Sequence, residues 1–265
     1  MKFYLQKIYR LMLMIGIDPL KVVRFIRGMP FYLHDRKTLV KQQRLSNVHF
    51  PFGKTKPILN ERFTESGKAS GHYFHQDLLV ARTIFINQPS LHVDIGSRVD
   101  GFVAHVASFR KIEVFDIRKS ANKIPNISFV QADLMGKIDN SLTDYTDSLS
   151  CLHALEHFGL GRYGDPVKYE GYLDGLNNLT KILKRGGKLY LSVPIGPQRI
   201  EFNAHRVFSL PYLIELFESN YDIDTFSYVD DEGDLHENIS LGDKIRVQSN
   251  YDCNFGCGIF ELTKR

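Results

Sequence analysis

From residue 91 onward, short apolar runs alternate with stretches of helical period, and this alternation constrains the fold more than any other feature of the chain. "LHVDI" (91–95) is too short for a buried helix and is bounded by a glycine, so it reads as a buried strand. "GFVAHVASF" (101–109) follows as a short helix. "IEVFDI" (112–117) and "ISFVQAD" (127–133) read as strands two and three, and "DSLSCLHAL" (147–155) contains strand four. Residues 166–184 carry apolar side chains at 169, 172, 173, 176, 179 and 183, with Pro166 near the start and Gly186-Gly187 beyond the end, which predicts a helix. "KLYLSVPI" (188–195) is strand five and "SLPYLIELFES" (209–219) another helix. "YDIDTFSYV" (221–229) and "GCGIFELTK" (256–264) complete the series as strands. Strands and helices in this order specify an open α/β sheet with helices on both faces.

The region upstream is different. Residues 1–44 hold ten Lys/Arg and two Asp, so this segment is +8 while the whole chain is +4. Two helical pieces are expected within 1–29, interrupted near Gly16 and Asp18-Pro19. Residues 45–71 read as a linker, and "HYFHQDLLVARTIF" as a helix leading into the sheet. The expected division is a basic, partly helical extension at 1–70 and a main domain at 71–265. The basic, apolar-rich extension suggests peripheral membrane or protein contact, against the plainer reading of a helical extension with solvated Lys and Arg. The main domain carries the balancing negative charge, which opposes nucleic-acid binding. No apolar stretch approaches the length of a membrane span, no secretory signal pattern is present, and Cys151, Cys253 and Cys257 are too few for a disulfide framework. A cytoplasmic protein with reduced thiols is expected, with peripheral membrane association left open.

In an open α/β sheet, ligands bind beyond the carboxyl ends of the strands at the topological switch point. The turn "HVDIGSRVDG" (92–101) sits there. Gly96 permits a sharp turn, but the G-x-G-x-x-G spacing of a dinucleotide site is missing. Asp116 lies 20 residues after Gly96, where a nucleotide fold places a ribose-binding carboxylate. Asp94, Asp116 and Asp133 thus cap three consecutive strands, with Asp133 suited to accept from an adenine amino group.

These blocks, with "LHALEHFGLGRYGDP", "LKRGGKLYLSVPIG" and "FNAHRVFS", resemble the motif series of class I S-adenosylmethionine-dependent methyltransferases. "GHYFHQD", "SCLHALEHFGLGRYGDP" and "GIFELTK" resemble more closely the uncharacterised, methyltransferase-like DUF268 family. The resemblance covers about 71–265. It implies a Rossmann-like open sheet of about seven strands, the last antiparallel, with S-adenosyl-L-methionine as cofactor. Its implied cofactor contacts are Asp94, Gly96, Ser97, Arg98, Asp116, Ile117, Asp133, Leu134 and His153. Ser97-Arg98 replaces the small residues usual in the first loop. Either the larger side chains obstruct the methionine tail, or Arg98 pairs with its carboxylate.

Transfer to a hydroxyl calls for a base, and His205 and His157 are the catalytic candidates. Substrate or lid residues are expected at His72, Tyr73, His75, Tyr163, Asp165, Glu201, Asn203 and Arg206, with Gln76 and Asp77 in the same polar turn as His72. No ligand spacing for a metal stands out, so no metal is expected. The expected activity is O-methylation of a sugar or glycan precursor. A phenolic or lipid-like acceptor, or a non-catalytic domain of the same fold, is the alternative.

Overall fold

The computed structural model describes residues 9, 12–14, 16–48, 50–59, 61–63, 67, 69–121 and 123–265. Most of the first helical piece expected within 1–29 lies outside the described residues. The chain divides into two compact units, Met1–Lys68 and Ala69–Arg265.

The first unit is organised by α1, Pro19–Leu45. Asp18 caps it by accepting from the backbone N–H groups of Leu20 and Lys21, and Pro19 occupies the first turn, where its missing N–H costs nothing. The expected helix end near 29 is not observed: α1 continues through Pro30. Side chains beyond the proline are tied down, which offsets the lost backbone bond. Phe31 packs edge-on to Phe63 at 6.0 Å, and Asp35 pairs with Arg62 at 2.7 Å. Gly28 is buried because a Cβ there would stand 2.1 Å from the Leu59 carbonyl. Leu59, Arg62 and Phe63 of the expected linker therefore pack along α1. No helix among the described residues is long and apolar enough to cross a membrane.

The second unit begins with α2 (His72–Asn87) and continues with β1 (His92–Ile95), a wide turn at Val99–Val103, α3 (Ala104–Ala107), β2 (Ile112–Asp116), β3 (Ile127–Gln131) and β4 (Thr146–Leu152). It then forms α4 (Gly171–Ile182), β5 (Leu183–Ile195), β6 (Arg199–Glu201), β7 (His205–Val207), α5 (Leu210–Glu218), β8 (Tyr221–Val229), β9 (Leu235–His236), α6 (Lys244–Gln248) and β10 (Gly256–Lys264). The main sheet has eight strands in the order β3-β2-β1-β4-β5-β10-β8-β9. β1 pairs in parallel with both β2 and β4, which places the switch point at its carboxyl end. β10 runs antiparallel between β5 and β8. The expected Rossmann-like sheet is thus present, enlarged by the two-residue edge strand β9. The small β6-β7 hairpin stands apart from it.

Period-2 alternation divides the sheet into two faces. One face carries Val93, Leu149, Leu191, Val193 and Phe260, covered by Leu176 and Leu179 of α4 and Leu213 and Phe217 of α5. The other packs Val114, Leu152, Tyr190 and Ile259 against Val80, Ala81 and Ile84 of α2. The second face also buries His92, Asp94, Ser148, Ser150 and Ser192.

The helix expected over 166–184 is shorter than predicted. Residues 159–165 are held as a loop because the Asp165 carboxylate accepts from the N–H groups of Gly159, Gly161 and Tyr163. The helix starts only at Gly171, and Leu183 is already extended.

Candidate active site

Gly96 makes the sharp exit from β1. Its φ of 67° is the left-handed region that favours glycine. Its N–H donates to the Phe115 carbonyl at 2.9 Å, joining the turn to β2. Asp94, one step inside the strand, is fully buried. It accepts from the Ser97 N–H at 3.0 Å, the Ser97 hydroxyl at 2.7 Å and the Ser150 hydroxyl at 2.6 Å. Burial pushes its carboxyl up to about 6 despite these bonds. Asp94 therefore builds the turn from beneath, and Ser97 folds back onto it. Arg98 turns outward, where its guanidinium pairs with Asp100 at 3.1 and 2.9 Å and lies 5.1 Å over the Tyr73 ring.

Beyond this turn lies a cavity at the carboxyl ends of β1, β2 and β3. Gly96, Asp116, Ile117, Asp133, Leu134 and His153 all contribute to its wall, so six expected cofactor contacts converge there. His157, Tyr163 and Asp165 line it as well. Asp133 uses one oxygen to cap its own turn, accepting from the Met135 N–H at 2.9 Å. Phe115, Met135 and Phe158 were not anticipated; they add apolar wall suited to a flat ring.

Arg118 is a second unanticipated element. It donates to both Asp116 oxygens, at 2.9 and 2.7 Å, and its backbone N–H adds a third bond at 2.8 Å. Burial alone would raise the Asp116 carboxyl, but the Arg118 bonds outweigh it and hold it below its usual value. Arg118 also lies 4.7 Å over the Tyr163 ring. The "VFDIR" order places an arginine two residues beyond the acid, and this was the available signal.

Of the two histidine candidates, only His157 reaches the cavity wall. Its Nδ1 donates to the Ala204 carbonyl at 2.7 Å, which leaves Nε2 as the acceptor nitrogen. Burial lowers its pKa, with Glu156 opposing. His205 instead packs at a tilt against Phe255 at 4.8 Å, with Nε2 3.4 Å from Glu201. Phe255 in turn contacts His72 at 5.4 Å, so His205 is two rings away from the pair formed by His72 and His153.

The remaining substrate and lid candidates separate. Arg206 is buried and donates to the carbonyls of Glu156, Phe158 and Tyr169, which fixes the loop after β4 from inside. Glu201 pairs with Arg199 at 2.8 Å, and Asn203 is exposed on the hairpin. In the polar turn of α2, Tyr73 is exposed beside Arg98 while Gln76 and Asp77 point into the core. Gln76 accepts from Ser192 at 2.5 Å. His75 packs edge-on to Phe74 at 5.2 Å. His72 stacks on His153 at 5.1 Å, and both have donor atoms within 4.8 Å of Cys257 Sγ. All three cysteines are unpaired and buried.

A family model described as "Caenorhabditis protein of unknown function, DUF268" matches residues 100–250, more than half of the chain. The chain belongs to the DUF268 family. No curated protein matches it. Among solved structures, this DUF268 chain is similar to the 1,6-didemethyltoxoflavin-N1-methyltransferase of Burkholderia thailandensis, bound to 1,6-didemethyltoxoflavin and S-adenosylhomocysteine. The identity is 14%, the coverage is 71% of this chain and 78% of that one, and the TM-score is 0.49. It is similar also to the N-methyltransferase NodS of Bradyrhizobium japonicum in complex with S-adenosylhomocysteine, at 11% identity, 73% and 88% coverage and TM-score 0.46. The [4+2]-cyclase SpnF matches at 12% identity, 72% and 80% coverage and TM-score 0.49. The strand order of the DUF268 chain carries its fold assignment by itself.

Proposed function

We propose that this protein is an S-adenosylmethionine-dependent methyltransferase that acts on a hydroxyl of a sugar or glycan precursor. The observation that carries the reading is the convergence of Gly96, Asp116 and Asp133 on one cavity at the switch point of the sheet. The residues present fit the cofactor. A carboxylate has about four acceptor sites, and Asp116 uses three on Arg118, so a ribose diol takes its place there as the exposed Arg118 guanidinium swings away. Asp133 keeps an oxygen for an exocyclic amine, and Leu134, Met135 and Phe158 supply the apolar slot. Ser97 is turned back onto Asp94 and Arg98 outward onto Asp100, which supports an open path for the methionine portion. When bound, the cofactor supplies an electrophilic methyl group.

His157 is the proposed base. Its Nδ1–H is committed to Ala204, its lowered pKa favours the neutral ring near pH 7, and Nε2 is left to take the acceptor's proton. His205, Glu201 and Asn203 on the β6-β7 hairpin are proposed to orient the acceptor. The packing of His205 against the exposed Phe255 ring supports a second reading, in which the acceptor is a phenolic small molecule.

The test is turnover of S-adenosylmethionine with panels of hydroxylated sugars and of phenols, on the full chain. His157→Ala and His205→Ala are expected to lose turnover while retaining S-adenosylhomocysteine binding. Asp116→Ala is expected to lose both. Unchanged turnover in all three variants would overturn the assignment of the site.

A further inference from the structure

We infer that His72, His153 and Cys257 form a binding site for one divalent cation of the zinc class. The three come from segments remote in sequence: the first turn of α2, the residue after β4 and the start of β10. Nδ1 of His72 and Nε2 of His153 stand 3.2 Å apart. Two nitrogens held at zinc-binding distance by a tetrahedral ion are separated by about 3.3 Å. Cys257 Sγ lies with both nitrogens in a group whose members are all within 4.8 Å of one another.

The rings also have outer partners. Nδ1 of His153 meets Oε1 of the buried Glu156 at 2.7 Å. His72 has the Phe255 backbone as a further hydrogen-bond partner. The Glu156 carboxylate on the second nitrogen of His153 is the usual outer support of a metal-binding histidine, because it fixes the tautomer and the ring orientation. His92 makes the contrast. It is a buried histidine of the same sheet face, and both its nitrogens are satisfied by the hydroxyls of Ser148 and Ser150, at 2.7 and 3.1 Å. In the cluster, by comparison, the two facing ring nitrogens have each other as partners at 3.2 Å, and the Cys257 thiol lies beside them with weak contacts to Gln76 Oε1 at 3.7 Å and the Gly258 carbonyl at 3.8 Å.

The backbone is adapted to that convergence. His153 has φ 49°, an unfavourable conformation for a residue with a Cβ. Its N–H is anchored to the Ser192 carbonyl at 3.0 Å. Two imidazoles and a thiolate are borderline-soft donors, which suits zinc and its spectroscopic substitute cobalt and disfavours the oxygen-seeking magnesium and calcium. Binding ionises the Cys257 thiol, whose proton goes to solvent, and leaves a fourth position for water. The cation would tie α2 to the ends of β4 and β10 beside the cavity that His153 lines. This site stands on its own residues and does not depend on the proposed methyl transfer.

The test is titration of the full chain, freed of metal by chelator, with Co²⁺ alone and then Zn²⁺. The expected result is one equivalent of Co²⁺ with a thiolate-to-cobalt charge-transfer band and the intense visible bands of a tetrahedral ion, displaced by Zn²⁺. Cys257→Ser loses the charge-transfer band, whereas Cys151→Ser, whose sulfur lies on the opposite sheet face, retains it. His72→Ala, at a half-buried position less demanding of the fold, weakens binding, and Glu156→Gln weakens it by about 10–100-fold. Absence of a stoichiometric band in the folded wild-type chain, or its persistence in Cys257→Ser, would overturn the assignment.

Discussion

The two faces of the sheet are built from the same strands and do different work. On the α4-α5 face, Leu149, Leu189, Leu191 and Val193 meet apolar helix residues, and burial needs no partner geometry. On the α2 face, His92, Asp94, Ser150 and Ser192 are equally buried but hydrogen-bonded, the first three to one another and Ser192 to Gln76 of α2. The first face supplies non-directional stability. The second fixes side chains in place at some cost and holds the turn at Gly96 from beneath through Asp94, whereas Ile95, Phe115, Leu134 and Ala154 of the first continue into the cavity wall.

The sharpest way to break the comparison is to remove volume from the dry face. Leu191→Ala is expected to lower unfolding stability by about 2–5 kcal/mol, read from urea melts, because the fully buried site leaves a cavity. Ligand affinity of the folded fraction should be unchanged, since Leu191 itself does not line the cavity.

The polar face should respond to pH instead. The folded value of Asp94 is about 6 against an ordinary 3.8, so between these values the folded chain keeps a proton that the unfolded chain has lost. This contribution to stability is present below 3.8 and is lost as pH rises through 6. Asp94→Asn removes it. Unfolding free energy of the variant relative to wild type is therefore expected to rise by about 3 kcal/mol from pH 4 to pH 6 and to stay level above. The constant offset from replacing an acceptor oxygen by an amide is separate from this slope. A flat difference would place the ionisation elsewhere.

A smaller effect is expected at the rim of the cavity. Arg118 is half exposed and competes for Asp116, so Arg118→Ala should tighten S-adenosylhomocysteine binding by up to about fivefold, the equivalent of an exposed ion pair. Weaker binding in calorimetry would mean that Arg118 supports the ligand rather than displacing it.

The strand alternation and the acids at strand tips were legible because each is a local pattern: apolar runs of strand length, each ending in a carboxylate. The same locality misled at both helix boundaries. Pro30 reads as a breaker, yet packing of Phe31 and Asp35 carries α1 past it. Pro166 reads as a helix start, yet Asp165 draws three N–H groups into a loop and delays α4 to Gly171. Arg206 looked like part of a polar acceptor loop, and only three-dimensional contact shows its guanidinium turned onto three carbonyls. The His72–His153–Cys257 cluster has no short-range spacing at all, since its donors meet only when the sheet assembles.

The most direct test of the cofactor assignment is calorimetric titration of the full chain with S-adenosylhomocysteine beside Asp116→Ala. The chain has no Trp, so heat is a better reporter than intrinsic fluorescence. Wild type is expected to bind with Kd in roughly the micromolar range, and the variant at least about tenfold more weakly, the effect of losing charge-assisted hydrogen bonds to the ribose. A folded wild-type chain that shows no binding at millimolar ligand, or a variant that binds as wild type does, would contradict the account.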